Sequence, residues 1–177
     1  MDTFWKTIIW QQFGAAIDML ENATRACPDE IWSDPSKRPQ WVDNDIVGFW
    51  YLAYHTLFFL DLYLSNSTQG FTPPSPFNLD ELDPANVLPA RPFTKDELQT
   101  YLEHCRQKCR TVIEALTDER ARQRCGIQWL DLSVAELLLY NMRHVQHHAA
   151  QLNLILRQRT SSAPRWVGKT KVALTSE

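Results

Sequence analysis

Between Ile46 and Leu64 the chain is apolar almost all round, and no other stretch limits the fold so tightly. A helix with no polar face to give to water must be enclosed by other elements of the same protein or by lipid. Lipid is the poorer reading, because Gly48, His55, Thr56 and Asp61 interrupt the stretch. No run of about eighteen uninterrupted apolar residues occurs, so no transmembrane helix and no membrane partner are expected. The pattern predicts a helix from about Val42 to Asn66 as the most buried member of a helical assembly.

Three other helical patterns can enclose it. The first runs from Thr3 to Ala26, with Ile9, Phe13, Ala16, Ile17 and Leu20 at three-and-four spacing, and stops at Cys27-Pro28. Another opens at Thr94, where Glu97 completes a capping box, and shows Leu98, Leu102, Cys105, Cys109, Val112 and Leu116 on one face. The last starts at Ser133, with Glu136 in the matching position, and continues to Arg159. Pro28, Pro35 and Pro39 mark the first connection. Six of the ten prolines lie in the second, Ser67 to Phe93. A connection that long usually means a crossover or a functional covering segment. The third, Thr117 to Leu132, includes an expected short extended piece at Gly126 to Leu130.

The expected fold is therefore an all-α four-helix bundle over residues 1–160, with a tail at 161–177. Simple up-and-down and crossover topologies both remain open. The tail is read either as folding back over the bundle end through Pro164, Arg165, Trp166 and Val167, or as disordered or in contact with another subunit.

At 177 residues the chain amounts to one domain, with a net charge of -3 and a pI near 5.9. That balance lacks the basic footprint of a nucleic-acid binder, and the Lys and Arg from Arg157 to Lys171 read as a solvated helix end and tail. The first residues carry no secretory signal pattern. Four cysteines without a Cys-x-x-Cys pair are expected to be reduced, in a cytoplasmic protein. Small bundles with a long proline-rich excursion often dimerise, which makes a homodimer one expectation.

Three of the five histidines fall between His144 and His148. At roughly 100° per residue, His148 lies about 40° from His144, inside the stripe of Leu137, Asn141, Gln151, Leu152 and Ile155. His147 lies at about -60°, on the stripe's edge. His144 and His148 are thus about 6 Å apart along one face, the spacing by which two imidazoles of one helix converge on one ion. A third ligand must come from a facing helix, and His55 is the candidate there. It lies on a line with Gly48, Leu52, Phe59 and Leu62, where an unpaired imidazole would be costly to bury. Gly48 would leave room beside it for a backbone, a ligand or a side chain. Three neutral imidazoles leave coordination positions for water or substrate, and suit zinc, nickel and iron(II) alike. The plain alternative is that these are hydrogen-bonded core histidines, since an HxxxH pair alone is a weak signal.

The string Arg-His-Val-Gln-His-His-Ala-Ala-Gln-Leu at 143 to 152 resembles the His-x-x-His-His-x-x-Gln signature of the DinB/YfiT-like superfamily of metalloenzymes. Tyr-His-Thr-Leu-Phe-Phe-Leu-Asp at 54 to 61 is similar to that family's His-bearing second helix. The resemblance implies a four-helix bundle with His55, His144 and His148 as ligands. It also implies thiol-dependent transferase or isomerase chemistry, as in some relatives, or metal-dependent hydrolysis, as in others. Around the ligands this sequence departs from the family's pattern. Family members often have Asn before and Glu after the first cluster His, then Arg-Gly after the last; here those positions hold Arg143, Val145, Ala149 and Ala150.

Other groups have two readings each. Cys105 and Cys109 could bind a soft metal or act as nucleophiles, but plain packing is the ordinary outcome for such a pair. His147 is either a proton shuttle at the rim or a surface residue, and His104 points away from its helix's apolar face. Asn141 and Gln151 could orient a water or an imidazole N–H. Trp5, Trp10, Trp50 and Tyr54 are core or interface rings, or the walls of a pocket. His-Glu-x-x-His is absent, which excludes a zinc protease of that type. Two functions follow: a metalloenzyme acting on a small molecule, a thiol among the candidates, or a non-catalytic, stress-related or partner-binding bundle with a structural His cluster.

Overall fold

The computed structural model describes residues 1–34 and 48–174. Six helices occur among them: α1 (Thr3–Ala26), α2 (Asp29–Trp32), α3 (Phe49–Ser65), α4 (Lys95–Glu114), α5 (Asp118–Arg122) and α6 (Val134–Thr160). Both expected capping boxes form. Thr94 accepts from the Glu97 amide while the Glu97 carboxylate accepts from the Thr94 amide, and Ser133 and Glu136 do the same at the start of α6. The expected start of the second helix at Val42 lies outside the described residues. Its described part begins at Phe49 and ends at Asn66, whose left-handed backbone (φ 60°) terminates it. The expected extended piece at Gly126 to Leu130 is not a strand. Among the described residues only isolated bridges form, between Ser67 and Gly126 and between Arg124 and Ser133.

The long helices form a ring of neighbours. α1 packs against α4 and α6, and α3 packs against the same two, so α1 and α3 sit across from each other. Their directions follow from paired contacts. Lys6 bonds to the Glu114 carbonyl, and Arg106 to Asp18 and Glu21, which makes α1 and α4 antiparallel. Cys105 reaches the Leu57 carbonyl and Lys108 reaches Ser65, so α3 and α4 run parallel. Tyr63 meets Tyr140 while His55 meets His148, so α3 and α6 are antiparallel. Of the two topologies the sequence left open, this is the crossover form.

That arrangement accounts for the long second connection. Parallel neighbours oblige the chain to return along α3, a 17-residue helix about 25 Å long, before α4 can start. The returning segment is anchored by Phe71, Phe77 and Phe93, all buried. Phe77 stacks on Tyr101 at 4.4 Å between centroids and lies 4.7 Å from Phe93. A 3-10 turn, Asp80–Leu82, follows Phe77.

Residues 168–174 lie along α1 rather than across an end. Trp10 Nε1 donates to the Val172 carbonyl, Gln12 to that of Gly168, and the Thr170 amide to that of Gln11. Gly14 makes this approach possible, since a Cβ there would stand 2.5 Å from Thr170 Cγ2. Gly14→Ala is expected to expel the tail. The better helix propensity of Ala, worth about 1 kcal/mol, offsets the lost contacts, so global stability changes little. Hydrogen exchange at the Thr170 amide should accelerate at least tenfold; an unchanged rate would refute the account. Among the described residues no helix is long and apolar enough to cross a membrane.

Candidate metal centre

The antiparallel pairing of α3 and α6 sets the site. From one end of the pair to the other, Tyr63 meets Tyr140, Asn141 Nδ2 donates to the Leu60 carbonyl at 3.0 Å, and His55 meets His148. With His144 one turn from His148, this register brings three imidazoles together. Ring centroids are 5.1 Å apart for His55 and His148, 5.6 Å for His55 and His144, and 4.5 Å for His144 and His148. One nitrogen from each lies within 4.8 Å of the others, a group that could hold a metal ion. An ion bound at about 2.1 Å would draw those nitrogens to about 3.4 Å from one another, a change within the reach of side-chain rotation.

Hydrogen bonds distinguish the nitrogens of each ring. His55 Nδ1 lies 2.8 Å from Glu81 Oε2, and His148 Nδ1 lies 2.7 Å from Gln151 Oε1. With Nδ1 engaged in both, Nε2 is the nitrogen each ring would present to an ion. His144 Nδ1 is buried with no hydrogen-bond partner among the described residues. A polar atom buried in that way calls for a ligand, so the donor set fits a cation.

Electrostatics also favour the ligating form of the rings. Burial, reinforced by the charges of His148, His55 and His147, pushes His144 down to about 2. Burial likewise lowers His148 to about 4, against the raising effect of its bond to Gln151. Both rings are neutral at pH 7, as metal ligation requires.

The remaining candidates are placed as follows. Gln151 does orient an imidazole. Asn141 instead ties α6 to α3 and does not touch the rings. His147 is exposed, with its ring 5.0 Å from that of His148. His104 is 46% exposed, yet its Nε2 is 3.6 Å from buried Asp61. Cys105 and Cys109 are fully buried in the core, and burial raises both thiols well above their ordinary value, so neither is a ready thiolate. Gly48 does not make room beside His55. It caps α3, and a Cβ there would press on the Ser33 and Asp34 backbone at 3.0 Å. Trp10, Trp50 and Tyr54 are core rings, whereas Trp5 is 57% exposed; the rings that flank the histidines are Tyr51, Phe59 and Tyr63.

Sequence reasoning missed Glu81. It lies 26 residues from His55 in a segment without periodicity, and only that segment's length hinted that it covered something. The departures from the family pattern also find places. Val145 and Ala149 are fully buried, where the family's Glu and Arg would be costly, and Arg143 and Ala150 are exposed. A cavity of about 620 Å³ adjoins the site, lined by His144, His147, Tyr140, Arg143 and, from α1, Gln12 and Ala16. Of the three clustered rings only His144 lines it.

No curated protein and no solved structure matches the chain. A family model described as the DinB superfamily matches residues 12–152. That span takes in both helices of the cluster, and the chain belongs to the DinB superfamily.

Proposed function

We propose that this DinB-like four-helix bundle is a metal-dependent enzyme in which His55, His144 and His148 hold one divalent ion, with zinc, nickel and iron(II) as the candidates. The observation that supports this most is the convergence of three imidazoles from two antiparallel helices, with Nδ1 of two rings occupied and that of the third unpartnered. A bound divalent ion supplies Lewis acidity, which lowers the pKa of a coordinated water or thiol. The chain's part is to orient His55 through Glu81 and His148 through Gln151, and to keep His144 and His148 neutral by burial. The substrate is a small molecule, in thiol transferase-like or hydrolase-like chemistry. Four cysteines with no disulfide suit a cytoplasmic setting.

The first test is elemental analysis of tag-free protein. Wild type is expected to carry close to one equivalent of divalent metal per chain, and His55→Ala and His148→Ala less than a tenth of that. Equal content in all three would remove the metal site and the enzyme with it. A non-catalytic reading draws on the adjoining cavity, which reaches only one of the three rings. Cobalt substitution separates the two. An absorption spectrum that changes when a small thiol is added supports open positions, and an inert spectrum supports a structural ion.

A further inference from the structure

We infer that Glu81 is a positioning residue for the ion, holding His55 in the Nδ1–H tautomer and supplying a negative charge that imidazole ligands do not carry. This rests on the metal-binding reading above.

The geometry is specific. Glu81 sits in the 3-10 turn Asp80–Leu82, closed by bonds from the Leu82 amide to the Leu79 carbonyl and from the Asp83 amide to that of Asp80. Four residues earlier, Phe77 is buried against Tyr101 and Phe93, so the turn is anchored beside α3. The Glu81 side chain is only 5% exposed. A carboxylate so enclosed is costly unless it accepts hydrogen bonds. It meets His55 Nδ1 at 2.8 Å and also bonds to the Tyr51 hydroxyl, one turn away on the same helix.

Charge distinguishes Glu81 from the other orienting group. His148 is oriented by the neutral amide of Gln151. Asp61, a buried acid on α3 itself, is already held by Tyr101 and Lys108. No acidic residue stands on the histidine face of α6. Among the described residues, Glu81 is therefore the carboxylate hydrogen-bonded to a ligand ring. Such a partner sets which nitrogen faces a metal, raises the ligand's basicity and offsets part of the cation's charge. The long connection, read from sequence as a crossover or a covering segment, thus completes the site.

The test uses the full chain with Zn²⁺ alone as the probe, in competition with a chromophoric chelator at pH 8. Wild type is compared with Glu81→Gln, Glu81→Asp, Glu81→Ala and, as a ligand control, His55→Ala. Both Glu81→Gln and Glu81→Ala should weaken zinc binding by about 10–100-fold. Glu81→Asp should fall between them and wild type. Long-range ¹H–¹⁵N spectra give a readout that a purely structural role would not move: metal-free wild type should show His55 as the Nδ1–H tautomer, and Glu81→Ala should shift it towards Nε2–H. Zinc affinity within twofold of wild type in Glu81→Gln overturns the inference and leaves the metal site standing. Zinc bound no better by wild type than by His55→Ala overturns the metal site itself. If Glu81→Ala does not fold, the wild-type tautomer decides, and an Nε2–H ring overturns the inference.

Discussion

Between pH 7 and pH 5 the metal-free protein is expected to lose roughly 4 kcal/mol of stability, about 2 kcal/mol through each of His144 and His148. In the folded chain burial holds these rings down, to about 2 and about 4. In the unfolded chain they return to the ordinary value of 6.5. Below 6.5 the unfolded state therefore binds protons that the folded state refuses, and stability falls with pH. The loss continues until the folded rings titrate, near pH 4 for His148 and lower for His144. Urea unfolding at pH 7, 6 and 5 in the presence of a chelator measures it. A flat profile in wild type would mean that the rings are not buried as neutral bases. The double variant His144→Leu/His148→Leu should flatten the profile by removing both groups.

An ion and protons compete for the same nitrogens, which ties this profile to the proposed function. Divalent metal at about 100 times its dissociation constant should add about 2.7 kcal/mol at pH 7. Because the folded rings of His144 and His148 take up protons only near pH 4 and below, that gain should persist from pH 7 to pH 5 and fade below it. The loaded and metal-free proteins should therefore lose stability in parallel over that range.

The elements that could be read from sequence are those whose signals are local. α4 and α6 announce their starts through Thr94 with Glu97 and Ser133 with Glu136, because a capping box is closed within four residues. His144 and His148 follow from helical periodicity alone. His55 could be inferred because a polar ring in so apolar a helix needs a partner. What could not be read depends on contacts distant in sequence or too short for a period. α2 and α5 are single turns. The docking of residues 168–174 on α1 uses backbone carbonyls and amides, which leave no side-chain pattern. Glu81 is a charged residue in an aperiodic segment, and only the fold reveals that it is buried against His55. The neighbour order of the helices was equally hidden, because each apolar stripe fits more than one partner.

Asp61→Ala is expected to cost about 3 kcal/mol, since it leaves the buried Tyr101 hydroxyl without its acceptor and Lys108 without its counter-ion. Asp61 lies six residues past His55 on α3, fully buried. Its Oδ2 accepts from Tyr101 at 3.0 Å, and its Oδ1 from Lys108 Nζ at 2.5 Å. Lys108 also donates to Ser65 at 2.7 Å, so one lysine of α4 clasps two turns of α3. The lysine side chain is 28% exposed and regains water when Asp61 is lost, which keeps the expected cost below that of a fully enclosed pair. Asp61→Asn retains an acceptor for Tyr101 and should cost about 1 kcal/mol. Adding Lys108→Met to Asp61→Ala should recover part of the loss, because no stranded cation then remains. Equilibrium urea unfolding at pH 7 decides, and a cost under about 0.5 kcal/mol for Asp61→Ala would refute the brace. The consequence reaches the site, because the clasp fixes how far α3 slides along α4. A residue's slip there moves His55 by about 1.5 Å relative to α6. Metal affinity in Asp61→Ala should therefore drop although no ligand has been touched, and Lys108→Met should restore fold stability more fully than affinity.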